Sequence, residues 1–476
     1  MCLFISEDNS TPTADIPEAF GLLHWNHSQS LAMRISVRWT AGWLAWAILS
    51  LGASGVATAQ ERPIAFTGMS LITLHGETVD NGVLIVQGGK IKAIGASNDV
   101  VAPPEAERRD LHGKVVMPGL VDTHSHIGLA TSGSNERSGP LNPEMRALDA
   151  VDIRDPALQR ARAGGITTVN IMPGSGTLMG GQTVYLKLRQ GRTIDDLLLH
   201  TPTGRLAGGL KMANGTNPQG DPPFPGTRAK AAALVREKFV AAQVYREKLA
   251  KAGSDPEKAP TRDLAMESLV EVLSGDRVVH HHTHRHDDIM TVLRLQKEFG
   301  FRVVLHHVSE GYKVAQEIAA AKVPCSVIVI DSPGGKLEAR DMDWKTAAVL
   351  EKAGVLVGFH TDDPVTDSRL FLRSAALAVR AGMTRDGALK AVTSAGAQML
   401  DLQDRVGTLE VGKDADFLIL SGDPLSVYTH IEETWVDGSR VFDRNDPKDA
   451  VLATGGIGAG NPRVASLCCF GNGGDQ

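Results

Sequence analysis

The sequence predicts an α/β fold in which parallel strands are covered by helices, beside a small β-domain assembled from both ends of the chain. Three observations predict it. The middle of the chain alternates continuous apolar runs with amphipathic stretches, two strand-rich segments flank that middle, and the apolar runs end in histidine or aspartate. Continuous apolar strands alternating with helices are the pattern of a parallel sheet with both faces covered. A length of 476 residues suggests about three domains, but a barrel of about 250 residues commonly forms one. The composition, 42% hydrophobic and 22% charged, gives ample core for such a fold.

The elements follow in order. "MRISVRWTAGWLAWAILSLGASGVATAQ" places Arg34 and Arg38 before an apolar run that ends at Ala57-Thr58-Ala59, the order of a secretory signal peptide. The run is shorter than the ~20 residues needed to span a bilayer, so cleavage is favoured over an uncleaved membrane anchor. Residues 1–59 are therefore read as an N-terminal extension and signal, with Met33 a candidate start. The mature protein is expected to be periplasmic or secreted.

Residues 60–117 read as short strands with turns at Asp80-Asn81-Gly82 and Gly88-Gly89. "GTLEVGKDADFLILSGDPLS" and "IEETWVDGSRVF", within residues 405–445, have the same character and complete the small β-domain. Between them, residues 118–404 carry the helix–strand steps. "RVVHHHTH" precedes "DDIMTVLRLQKEFG", whose acidic start and closing Gly300 suit a helix. "FRVVLHHV", "VPCSVIVI" and "VLVGFHTDD" are each followed by a helical stretch. The charged segment around residues 227–273 reads as helix lying outside the core, and Gly180-Gly181 as a turn. Residues 446–476 form a tail that ends Gly-rich.

The net charge of −6 and the lack of a basic, aromatic-interleaved stripe argue against nucleic acid as a partner. Cys325, Cys468 and Cys469 make no CxxC zinc pattern, so any metal is held by histidine and carboxylate. Sixteen histidines offer the donors. In "VVMPGLVDTHSHIG", His124 and His126 are two residues apart on a strand, so both imidazoles point to one face and make half of a metal site. By the same alternation His280, His282 and His284 share a face, and His281 points to the other. His306, His307 and Asp362 end further strands, and in a parallel barrel such ends form the catalytic face.

These motifs together ("MPGLVDTHSH", "GGLKMANGTNP", "HHHTHRHDDI", "VLHHVSEGYK", "FHTDDPV" and "VGTLEVGKDADFLILSGDPL") resemble the amidohydrolase superfamily over residues 62–445. Within it the chain is most similar to the imidazolonepropionase-like and prolidase-like branch. The resemblance implies a (β/α)8 TIM barrel with a small β-sandwich, and a hydrolase acting on a carbon–nitrogen bond of a small substrate such as a dipeptide or cyclic amide. It implies one or two divalent metals per chain, zinc foremost, with manganese, iron or nickel as alternatives. Carried over by position, the ligands are His124, His126, Lys211, His282, His307 and Asp362, with Asp362 also the catalytic proton shuttle. His284 and Arg285 would line the substrate pocket, and Asp363 would cap the next helix. Lys211 has three readings: a CO2-derived carbamate bridging two metals, a partner for a substrate carboxylate, or a lysine of no special role. His306 stands where the branch has Glu, which loosens the choice of His307. A mononuclear imidazolonepropionase-like or deaminase-like activity is the alternative, and a non-catalytic barrel module the rival of a different class. No membrane partner is expected after cleavage, and self-association is left open.

Overall fold

The structure, a computed structural model, describes residues 62–129, 133–329 and 336–455. The signal read in residues 33–59 and the Gly-rich end of the tail lie outside the described residues. Among the described residues no helix is long and apolar enough to cross a membrane.

Both ends of the chain meet in one eight-stranded sheet. Its order is Ser439–Asp443, Ile431–Val436, Phe417–Leu420, Val115–Pro118, Ile64–Leu71, Val79–Gln87 and Lys90–Ala96, with Glu107–Asp110 also on Ile64–Leu71. Val115–Pro118 runs antiparallel to Phe417–Leu420, so the pairing that closes this domain spans most of the sequence. Phe66, Phe417 and Trp435 pack with ring centroids 5.1–5.5 Å apart. Arg109 lies over Trp435 while both of its terminal nitrogens reach Glu433, at 3.0 and 2.6 Å. The Gly88-Gly89 turn forms as expected, both residues having positive φ. Asp80-Asn81-Gly82 instead lies inside the Val79–Gln87 strand, where the register against Ile64–Leu71 shifts.

The middle of the chain forms two further sheets. One runs Val357–Phe359, Cys325–Val327, Val303–His307, Val279–Thr283, Leu210–Ala213 and Met179–Gln182; the other runs Leu120–Ser125, Ile166–Ile171 and Val184–Lys187. Neighbours are parallel except at Met179–Gln182 and Val184–Lys187. Seven strands in parallel pairings thus stand in two mixed sheets, in place of eight parallel strands in one closed ladder. Met179–Gln182 and Val184–Lys187, with only Thr183 between them, belong to different sheets, and each runs antiparallel to its neighbour, Leu210–Ala213 and Ile166–Ile171. Gly180-Gly181, expected as a turn, is part of the first of these strands. The sheets abut at both edges: the Asp362 N–H donates to the His124 carbonyl, and the Thr183 N–H to the Gly209 carbonyl, each at 2.8 Å.

Helices cover the sheets. His286–Phe299 starts with Asp287 and Asp288 in its first turn and stops at Gly300, whose φ of 75° suits glycine. The charged helix Arg228–Ala252 is not outside the core. Val235, Phe239 and Ala242 are buried, and Phe239 stacks on Phe299 and Phe301 at 5.1 and 5.2 Å. Its charges occupy the other face, as the pattern of an amphipathic helix requires. The tail begins with a helix, Pro447–Thr454, capped by the Asp446 carboxylate.

Candidate metal centre

Strand polarity gathers the chemistry at one end. His124 falls near the end of Leu120–Ser125 and His126 just beyond it, Lys211 lies in Leu210–Ala213, and His282 is the penultimate residue of Val279–Thr283. His307 closes Val303–His307, and Asp362 follows Val357–Phe359 by three residues. All six are buried. Three overlapping donor sets result, with atoms within 4.8 Å of one another: His124, His126 and Asp362; His282, His284 and His307; His124, His307 and His360.

In the first set, His126 Nε2 and His124 Nε2 lie 3.0 and 3.3 Å from the same Asp362 oxygen. His126 Nδ1 is 2.8 Å from the Met172 carbonyl oxygen, which can only accept, so Nδ1 carries its hydrogen. The ring's Nε2 faces the Asp362 carboxylate, where a cation seated between ring and carboxylate would be held by both. Burial opposes the charge on Asp362, yet the His126 hydrogen bond and the charges of His126, His360 and Lys211 hold its carboxyl well below the usual range. Lys211 Nζ is 3.0 Å from His124 Nε2 and 3.2 Å from Met172 Sδ.

In the second set, the Lys336 ammonium is 3.2 Å from His282 Nε2 and 3.0 Å from His284 Nε2. An ammonium only donates, so both Nε2 atoms offer lone pairs, and their Nδ1–H groups donate to Ser175 at 2.9 Å and Ser309 at 2.7 Å. Lys336 itself rests 2.8 Å from Glu338. A cation thus stands at the focus of two imidazole lone pairs, and His307 Nε2 and His124 Nδ1 are buried with no hydrogen-bond partner. Neutral imidazoles and one carboxylate are the donor set that divalent transition metals take, so these residues fit a metal. Burial first, and the Lys211 or Lys336 charge next, pushes His124, His282 and His284 well down and keeps them as neutral donors.

The other expected residues fall as follows. His284 joins a donor set. Arg285 precedes the His286–Phe299 helix with its guanidinium on Asp287 at 2.9 Å. His281 turns away, its Nδ1 on the His282 carbonyl. Asp363 accepts from the Ser368 N–H and hydroxyl at the start of a short helix. Sequence reasoning missed His360, Lys336 and Asp122. Asp122 accepts from the Thr361 hydroxyl at 2.5 Å and from the N–H groups of Thr361 and His124, bracing the two metal-facing segments together. Burial pushes its carboxyl up to about 7. The available signal for His360 is its i, i+2 spacing from Asp362, the same spacing that singles out His124 and His126.

Residues 245–442 match the profile of a family described as "Amidohydrolase family". Among solved structures, an amidohydrolase from Thermotoga maritima MSB8 is 35% identical, with a TM-score of 0.74 over 80% of this chain and 100% of that one. Among curated proteins, imidazolonepropionase of Deinococcus radiodurans is 27% identical over 406 residues, 79% of this chain and 93% of that protein. Amidohydrolase tasK of Hapsidospora irregularis is 27% identical over 370 residues, 72% of this chain but only 38% of that longer protein.

Proposed function

The chain belongs to the amidohydrolase superfamily, hydrolases of carbon–nitrogen bonds, and on that premise we propose that it is a metal-dependent amidohydrolase of a small amide, a dipeptide or cyclic amide. The observation that carries this is the convergence of His126 and His124, whose Nε2 atoms lie 3.0 and 3.3 Å from one oxygen of the buried Asp362 carboxylate. On this reading the two abutting sheets are the arcs of a (β/α)8 barrel variant, and the eight-stranded sheet is the small β-sandwich beside it.

His124, His126 and Asp362 would hold one divalent metal, zinc foremost, and His282, His284 and His307 a second, with Lys211 reaching the first set as a carbamate or an amine. When bound, the metal acidifies a water molecule and polarises the scissile carbonyl. Asp362 accepts the proton of the attacking water and returns it to the leaving nitrogen, the general acid–base role of a carboxylate beside the metal site. Ser175 and Ser309 hold the rings of His282 and His284 in register. A mononuclear enzyme of the imidazolonepropionase type is the second reading, favoured by the Lys336 ammonium on the His282 and His284 lone pairs. Export remains part of the proposal, supported by the order of Arg34, Arg38, apolar run and Ala57-Thr58-Ala59; a mature N-terminus near Gln60 is the expected result of N-terminal sequencing.

The deciding experiment measures metal content of the purified protein and hydrolysis of a panel of dipeptides and cyclic amides, before and after chelation. One or two metals per chain and chelator-sensitive hydrolysis are expected. Hydrolysis that survives complete metal removal sinks the proposal.

A further inference from the structure

Four strands carry a chain of hydrogen bonds whose direction follows from the carbonyl at one terminus. Thr123 Oγ1 lies 3.4 Å from the Phe359 carbonyl oxygen and 2.6 Å from Ser326 Oγ. Ser326 Oγ lies 2.8 Å from His360 Nδ1, and His360 Nε2 lies 3.3 Å from His307 Nδ1. A carbonyl oxygen only accepts, so the Thr123 hydroxyl donates to it. The Thr123 oxygen then accepts from the Ser326 hydroxyl, which leaves the Ser326 oxygen to accept from His360 Nδ1–H. With its hydrogen on Nδ1, the His360 ring presents Nε2 to His307. That nitrogen accepts from His307 Nδ1–H. His307 is left with its lone pair on Nε2, the buried atom that has no hydrogen-bond partner.

We propose that His360 is a positioning residue that sets the tautomer and ring orientation of His307, so that His307 offers Nε2 to the donor set it shares with His282 and His284. His360 also stacks on the His124 ring, with centroids 4.9 Å apart and planes 21° apart, so one side chain braces a ligand from each of the two sheets. Ser326 and Thr123 transmit the constraint across the seam where the sheets abut. A partner of this kind fixes which nitrogen faces the metal and raises its basicity.

The inference rests on the metal-dependent reading, and its test separates the two. The full chain and its His360→Leu, His360→Gln and Ser326→Ala variants are titrated with zinc against a chromophoric chelator, and the imidazole nitrogen shifts of the metal-free proteins are recorded by NMR. His360→Leu should weaken zinc binding by roughly 10–100-fold, the usual effect of losing such a partner. Ser326→Ala should shift it the same way by less. His360→Gln keeps an acceptor for His307 and a donor for Ser326, and should stay within a few-fold of the natural protein. The His307 shifts should report hydrogen on Nδ1, lost in the Leu variant. A folded His360→Leu protein with unchanged affinity and unchanged His307 shifts overturns the proposal; if that variant does not fold, the same result from Ser326→Ala does. A Gln variant as weak as Leu overturns it too, since His360 would then act as a ligand. A natural protein that binds no zinc defeats the metal reading, while the His307 tautomer still decides the chain.

Discussion

Lys187 and Lys211 stand on strands of the two abutting sheets, both buried, and their neighbours differ in kind. The Lys187 ammonium meets three carboxylates, Asp414 and Asp437 at 2.5 Å and Asp416 at 3.1 Å, and Asp414 in turn holds Lys90 and Arg405. These acids come from the end segments, so the cluster fastens the small sheet to the strand Val184–Lys187. Lys211 is next to an imidazole nitrogen and a thioether, both weaker acceptors, at the end where the histidines converge. One lysine is neutralised by matched charge. The other lies among imidazole lone pairs, and its charge acts on the Asp362 carboxylate of the same donor set. A buried ion cluster with its charges matched is cement, whereas a buried gathering of imidazoles and one carboxylate is a set of donors that a metal can take.

The sharpest break of the comparison is Lys187→Met. Removing one partner leaves buried carboxylates uncompensated, and the expected loss is about 3–5 kcal/mol of unfolding free energy in urea titrations, with metal per folded chain unchanged. A loss below about 1 kcal/mol would show that water already screens the cluster.

Asp362→Asn attacks the other region and should do the reverse. Asp362 has a φ of 50°, a left-handed conformation that Asn also tolerates, so the backbone should hold and the melting midpoint should stay within a few degrees. Turnover should fall by at least ~10²-fold, because the amide cannot take the proton. Undiminished hydrolysis in steady-state assays would remove Asp362 from the mechanism.

How much of this was legible follows from which contacts are local. Spacing alone places His124 with His126 and sets His281 apart from His282, because strand alternation is a local rule. The end segments could be paired by character, and the structure joins them through Val115–Pro118 and Phe417–Leu420. The two strands on either side of Thr183, each antiparallel to a different neighbour, were hidden because strands of four residues give no sign of direction. Arg228–Ala252 reads as a solvated helix by its charge, and its buried stripe is visible only against Phe299 and Phe301. Lys336 stands just before the short helix Leu337–Ala339, and no periodicity says where such a residue turns its side chain. Its seat on His282 and His284 is a tertiary fact.

Lys336→Met tests whether the second donor set really belongs with the first. Metal and ammonium need the same Nε2 lone pairs, so each excludes the other. A hydrogen bond to a charged group contributes roughly 1.5–3 kcal/mol, and losing that competitor should tighten metal binding by at least ~10-fold in chelator competition. Unchanged or weaker affinity would place the metal in the His126–Asp362 set alone, the mononuclear reading.

The smallest effect is a pH signature of the Lys187 cluster, and its sign separates two neighbouring acids. Burial, joined by the charges of Asp437 and Asp414, outweighs Lys187 and pushes Asp416 up to about 6 from an ordinary 3.8. Between those values the folded chain binds more protons than the unfolded one, so this contribution to stability rises as pH falls through that window. Asp414 is the opposite case: burial works against ionisation, but the Lys187 charge and hydrogen bond, with Lys90 and Arg405, hold it well below 3.8. Below 3.8 the unfolded chain binds more protons at Asp414, and that contribution is lost as pH falls further. Asp416→Asn removes only the first arm. Calorimetric melting of the natural protein minus the variant should therefore show a difference that grows by a few degrees as pH falls from about 7 to about 4, effects on the histidines being common to both and cancelling. A difference that is flat, or that shrinks toward acid, would mean that Asp416 stays ionised and that Lys187 neutralises all three carboxylates.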